Sequence, residues 1–207
     1  MARDGKPTRD KILTETKNLV FCNGFSGTSI DQILDKTGIT KGAFFYHFKT
    51  KNALAKALIE TYATEDMSHL ESALQETESL KATPLKRLLQ FVQLFIDMMI
   101  SLKEPPSCLY ASYSYESNQF DQETLDIVSD SILEWRNTFT ELLNNVLAEN
   151  APKKDIDVQS LSDQFVVIFE GAFVVSKALN DSDITAKQLQ HLKNYLELLF
   201  DQTASSR

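Results

Sequence analysis

Residues 40 to 51, "TKGAFFYHFKTK", interleave aromatic and cationic side chains in a pattern that can read a polyanion. Phe44, Phe45, Tyr46 and Phe48 stand beside His47, and Lys41, Lys49 and Lys51 bracket them. A helix turning about 100° per residue places Phe44 and Phe48 on one side and Gly42, Ala43 and Tyr46 on the other. One face then packs and the other reads. Gly42 and Ala43 let the helix backbone approach a groove closely, while Lys41, Tyr46 and His47 project donors and an aromatic edge. Lys51 and Thr28 fall near helix starts, where unpaired N–H groups and the helix dipole favour a phosphate.

Three short helices must position that face. Thr8 can cap a first helix in which Ile12, Leu13, Thr16, Leu19 and Val20 recur at helical spacing, and Gly24 followed by Phe25 stops it. In "GTSIDQILDKTG", Ser29 to Gln32 has capping-box spacing, with Thr28 a rival cap, and Gly38 ends a short second helix. Thr40 caps the third only two residues later, a turn tight enough for a helix-turn-helix, and Lys51 or Asn52 opens a fourth.

Composition fits a local polyanion-binding head on a larger body. The 207-residue chain is 43% hydrophobic with a formal charge of −8, enough apolar content for a sizeable core. Residues 1 to 51 nevertheless carry nine Lys/Arg against five Asp/Glu, a net of +4, and residues 52 to 207 carry twelve against twenty-four, a net of −12. A basic head on an acidic body directs polyanion binding to one surface. Cys22 and Cys108 form no CxxC pair, so neither a disulfide framework nor a cysteine zinc site is indicated, as expected in a reducing cytoplasm. The polar start "MARDGKPTRDK" carries no apolar signal core, and apolar runs short of a membrane span predict a soluble protein.

The stretch "GTSIDQILDKTGITKGAFFYHFKTKNAL", residues 27 to 54, resembles the DNA-binding domain of the TetR family of bacterial transcriptional regulators. The resemblance runs from Thr8 to Leu54. It implies an all-α fold, with an N-terminal three-helix helix-turn-helix domain (1–51) and a larger C-terminal helical domain for effector binding and dimerisation (52–207). By position, Thr28, Thr40, Lys41, Gly42, Tyr46, His47 and Lys51 match places where family members touch DNA. Phe45 departs from the tyrosine many members carry, which exchanges a hydroxyl for apolar contact with a thymine methyl. Ala43 offers no hydrogen bond, so base readout there is sparse.

The remaining chain reads as helices divided by breakers: Asn52 into the 70s, Leu85 to Leu102, a short helix in "CLYASYSYES", Glu123 to Glu149, 165 to 179, and a last helix after "NDSDIT". The segment "FVVIFEGAFVVSKAL" is apolar nearly all round, and Leu189, Leu192, Leu196 and Leu199 form a narrow stripe. With Phe165, Ala172 and Phe173 they are the expected dimer surface, two helices from each chain making a four-helix interface as in the resembling family. Phe91, Phe95, Met98, Met99, Tyr110, Tyr113, Trp135, Phe139, Phe165 and Phe169 are the expected lining of a site for a small apolar or aromatic effector, a set resembling the family's cavity. No cofactor or metal is expected.

Two other readings compete. A di-iron helical-bundle enzyme needs Glu-x-x-His pairs, whereas the chain offers only Asp66-x-x-His69, and it has no HExxH, glycine-rich phosphate loop or nucleophile elbow. A thiol-based sensor would use Cys108, which follows "EPPS" and falls in the first turn of a helix, where the dipole stabilises a thiolate. The main expectation is a homodimer whose recognition helices enter successive major grooves of a palindromic operator. It acts as a repressor on the strength of the resemblance, and effector-driven movement of residues 52 to about 75 releases it.

Overall fold

The computed structural model describes residues 5–200, and among these every regular element is helical. The order is α1 (Lys6–Asn23), α2 (Ile30–Thr37), α3 (Lys41–His47), α4 (Lys51–Ser79), α5 (Pro84–Ser101) and α6 (Leu109–Tyr115), then a 3-10 turn (Ser117–Gln119), α7 (Gln122–Leu147), α8 (Val158–Leu179) and α9 (Ile184–Phe200).

The helix ends follow from local chemistry. Pro7 lies in the first turn of α1, where its missing N–H costs nothing, so the helix starts at Lys6 and not at a Thr8 cap. Gly24 ends α1 at φ 72°, and Gly38 ends α2 at φ 66° in the left-handed conformation that only glycine adopts cheaply. Ser29 completes the expected capping box: its hydroxyl accepts from the Gln32 N–H at 3.2 Å, and the Gln32 carboxamide oxygen accepts from the Ser29 N–H at 2.7 Å. The Thr40 hydroxyl accepts from the Ala43 N–H and starts α3.

Packing divides the chain into two compact units, and not at the 51/52 boundary read from the sequence. Among the described residues, one contains 5–66 together with Cys108–Ser131; the other contains Met67–Ser107 and 132–200. Helices α4 and α7 therefore each begin in the first unit and end in the second.

In the first unit α1 packs on α2 and on α6, around Ile12, Val20, Phe25, Ile33, Phe44, Leu54, Leu58 and Tyr113. In the second, α9 packs on α5 and α8. Its core holds Leu88, Phe91, Val92, Phe139, Leu143, Phe165, Leu189 and Leu196. Arg136 of α7 pairs with Asp163 of α8, and the Lys193 ammonium donates to Gln93 at 2.8 Å between α9 and α5.

Helix α8 departs from the expectation that no apolar run approaches a membrane span. By length and composition alone its 22 residues, with a mean hydropathy of 1.3 in the most apolar stretch, would suffice. Only one side of it is buried, at Leu161, Phe165, Ala172 and Ser176, while Val167 (63% exposed), Val174 (56%) and Leu179 (68%) face outward.

Candidate nucleic-acid interface

Helix α3 is two-sided. Phe44 is fully buried and Phe48 nearly so, with the Arg9 guanidinium of α1 lying over the Phe48 ring at 5.4 Å. Phe45 is half-buried, edge-on to Phe44 at 5.3 Å. On the opposite side Lys41, Gly42 and Tyr46 are exposed, Tyr46 by 75%, and Ala43 and His47 are partly so. The His47 ring meets Tyr46 edge-on at 5.1 Å, and the start of α1 closes on it: a Cβ at Gly5 would stand 3.0 Å from the His47 ring. The segment thus presents Tyr46, two small residues, a lysine and a partly pinned imidazole outward, over buried Phe44 and Phe48, with Phe45 half-buried. Such a face can stack, donate and approach closely.

The first unit's positive charge is less free than a residue count indicates. The Lys11 ammonium donates to the Thr37 carbonyl at the end of α2 at 2.7 Å, Lys17 pairs with Glu65 at 3.1 Å, and Arg9 lies over Phe48. Arg3 and Asp4 lie outside the described residues. Lys36, Lys41 and Lys49 stand exposed around α2 and α3.

Two expected phosphate contacts are otherwise engaged. Thr28 is fully buried and its hydroxyl donates to the Gly24 carbonyl at 2.8 Å, so the side chain closes the α1–α2 turn and cannot face a ligand. The Lys51 ammonium donates to the Phe25 carbonyl at 2.7 Å and sits 4.4 Å from the Phe25 ring centroid. Burial pushes its pKa down, against the opposing pull of the Glu116 carboxylate. Glu116 is a residue sequence reasoning missed: it accepts from the Phe25 and Ser26 N–H groups, each at 2.7 Å. Its pKa is lowered: desolvation, which raises it, is outweighed by the hydrogen bonds from Ser26 and Phe25 and by Lys51. No sequence signal marks a pair some 90 residues apart.

The expected effector lining divides between the units. Tyr110 and Tyr113 belong to the first, where their hydroxyls donate to Asp66 at 3.1 Å and to the Ala55 carbonyl at 2.8 Å, and burial pushes both phenols up. In the second unit Phe91, Phe139 and Phe165 are fully buried; Phe95 and Met99 are nearly so, and Met98, Trp135 and Phe169 are partly exposed. Their rings pack directly on one another, with Phe139 stacked on Phe165 at 4.7 Å and Phe95 edge-on to Trp135 at 5.2 Å. An open depression of about 490 Å³ elsewhere in that unit is lined by Asp157, Asp163, Val167 and Tyr195 among others, and by none of the expected residues.

The expected dimer surface is corrected in the same way. Leu189, Leu192, Leu196 and Leu199, with Phe165 and Ala172, are turned into the chain's own core, none more than 4% exposed, because α5 and α8 cover that stripe, and Phe173 is half-buried. The apolar residues left outward are Val167, Val174, Val175 and Leu179 on α8 and Tyr195 and Leu198 on α9. Cys108 is buried, 8% exposed, at the start of α6, whereas Cys22 is exposed.

The family model described as "Bacterial regulatory proteins, tetR family" matches residues 12–58, and the one described as "Tetracyclin repressor-like, C-terminal domain" matches residues 84–192. The chain belongs to the TetR family. This TetR-family transcriptional regulator is 34% identical over 85 residues to an uncharacterized HTH-type transcriptional regulator of Lactococcus lactis, covering 41% of this chain and 43% of that protein, less than half of the relative. It is 19% identical over 175 residues to the HTH-type transcriptional repressor DhaR of a Mycobacterium species, covering 83% of each. The fold is that of a TetR-family regulator from Agrobacterium tumefaciens, with a TM-score of 0.76 at 19% identity, covering 95% of this chain and all of that one. The helix-turn-helix that the matched segment supplies is α2 with α3, so the two-sided α3 stands in the DNA-binding domain.

Phe44→Ala is expected to lower the unfolding free energy by about 3–5 kcal/mol, and Tyr46→Ala to change it by less than about 0.5 kcal/mol. Urea unfolding of the DNA-free protein measures both, and equal effects would contradict the two-sided helix.

Proposed function

We propose that the protein is an effector-released repressor that binds a palindromic DNA operator as a homodimer in the cytoplasm. The observation that carries the reading is the exposed face of α3, with Tyr46 turned outward by 75% above a buried Phe44. Lys41, Gly42, Ala43, Phe45, Tyr46 and His47 read the major groove, with Thr40 at the start of the helix beside the backbone. Tyr46 and His47 supply donors, and Phe45 meets a thymine methyl. Repression as the sense of regulation is drawn from the relative named a transcriptional repressor.

Dimerisation uses the outward face of α8 and α9. An apolar strip of Val167, Val174, Val175, Leu179 and Leu198 is costly in water and supports pairing with a second copy, where exposed Gly171 permits close approach of the helices. The effector is a small apolar or aromatic molecule taken up among Phe91, Phe95, Met98, Trp135, Phe139, Phe165 and Phe169, where it must part rings that now touch. Its uptake acts through α4, the helix that begins in the first unit and ends in the second. Thiol sensing by Cys108 is the lesser alternative, because a reagent meets exposed Cys22 before buried Cys108.

In mobility-shift titrations, Tyr46→Ala is expected to abolish tight operator binding while leaving non-specific binding intact. Lys41→Ala weakens both and lowers the salt slope by about 1. If both variants bind operator like the parent, α3 is not the reading element. By light scattering at micromolar concentration the parent runs as a dimer, and Val174→Arg as a folded monomer with reduced operator affinity. A monomeric parent would contradict the assembly.

A further inference from the structure

The turn between α1 and α2 is held by a side chain from α6's far end. Glu116 spreads its carboxylate across two consecutive amides, one oxygen accepting from the Phe25 N–H and the other from the Ser26 N–H, both at 2.7 Å. Lys51 holds the same residue from its other polar group, donating to the Phe25 carbonyl at 2.7 Å. Gly24 makes room for the carboxylate, because a Cβ there would lie 2.6 Å from the Glu116 oxygen. The Phe25 ring rests on Phe120 at 4.9 Å, Phe120 stacks on Tyr113 at 4.1 Å, and the Tyr113 hydroxyl reaches the Ala55 carbonyl of α4. Packing of Phe25 alone would have fixed the ring. The carboxylate with its donors fixes the backbone as well.

From that backbone to the helix-turn-helix is a short, fully bonded path. The Thr28 N–H donates to the Phe25 carbonyl at 3.2 Å, its hydroxyl donates to Gly24, and Ser29 then caps α2, which leads through a two-residue turn to Thr40 and α3. We infer that Glu116 is a positioning residue for operator binding: its carboxylate sets the α1–α2 turn and so aims α2 and the reading helix behind it. The inference rests on the DNA-reading proposal above. Ser26 is exposed and Glu116 itself only partly buried, so with the carboxylate gone water can take its place on the freed Phe25 and Ser26 N–H groups. The fold then survives and the aim is lost.

The test uses the full chain and an operator fragment selected with the parent. Glu116→Ala is expected to weaken operator binding at least about tenfold, the order lost with hydrogen bonds to a charged group. Glu116→Gln, which keeps one acceptor and turns a donor on the other N–H, falls between. The thermal midpoint and the oligomeric state stay close to the parent's. Formate in place of chloride at constant ionic strength is expected to restore part of the Glu116→Ala affinity by filling the cradle of amides and Lys51, and to leave the parent unchanged. Amide hydrogen exchange of Phe25 and Ser26 follows the same pattern without DNA. Parental affinity in Glu116→Ala, or a loss that formate does not reduce, overturns the positioning role. A parent that binds no selected fragment overturns the DNA-reading proposal and this inference with it.

Discussion

The burial of Phe44 and Phe48 is the constraint on which the reading surface depends. Two large rings four residues apart can both leave water only if the segment is helical and lies flat on the first unit, and helical geometry then forces Tyr46 and Gly42 to the outside. A helix of seven residues is too short to hold itself together from propensity alone. It exists because its apolar side is covered, the Thr40 hydroxyl caps one end, and Phe48 passes into extended backbone at the other. The outward face costs stability through Gly42 and gains close approach. That exchange makes sense where a backbone must enter a groove.

Charge follows the same economy. Several of the first unit's described cations are spent inside it, on a helix-end carbonyl, an aromatic ring, a carboxylate or the α1–α2 turn, while Lys36, Lys41 and Lys49 stand exposed around the reading helix. With a net charge of −8 over the chain, the acidic remainder repels nucleic acid wherever it is not specifically met. Few free positive charges, well placed, favour a specific complex over non-specific coating, because each phosphate neutralised contributes to both.

Local features were legible in the sequence and long-range pairings were not. Ser29, Thr40, Gly24 and Gly38 each act within four residues of themselves, so their spacing sufficed to mark the helix ends, and the faces of α3 followed from periodicity. The leucine stripe of α9 shows the limit. Its spacing predicts an apolar face but not what covers it, and α5 and α8 of the same chain do so, leaving Val174 and Leu198 outward instead. Thr28 and Lys51 were read from their positions near helix starts, while their polar atoms are engaged by Gly24 and Phe25. Glu116 gave no signal at all, since a carboxylate distant in sequence and a glycine-flanked turn carry no shared pattern. The grouping of α6 with the first three helices is hidden for the same reason.

The most direct test of the account is selection of genomic DNA fragments by the purified protein, read by sequencing. A homodimer reading through α3 predicts enrichment of an inverted repeat whose half-site centres lie about one helical turn apart, 34–36 Å, or a multiple of it. Enrichment of no sequence above non-specific background, or of a single half-site without a dyad, would contradict it.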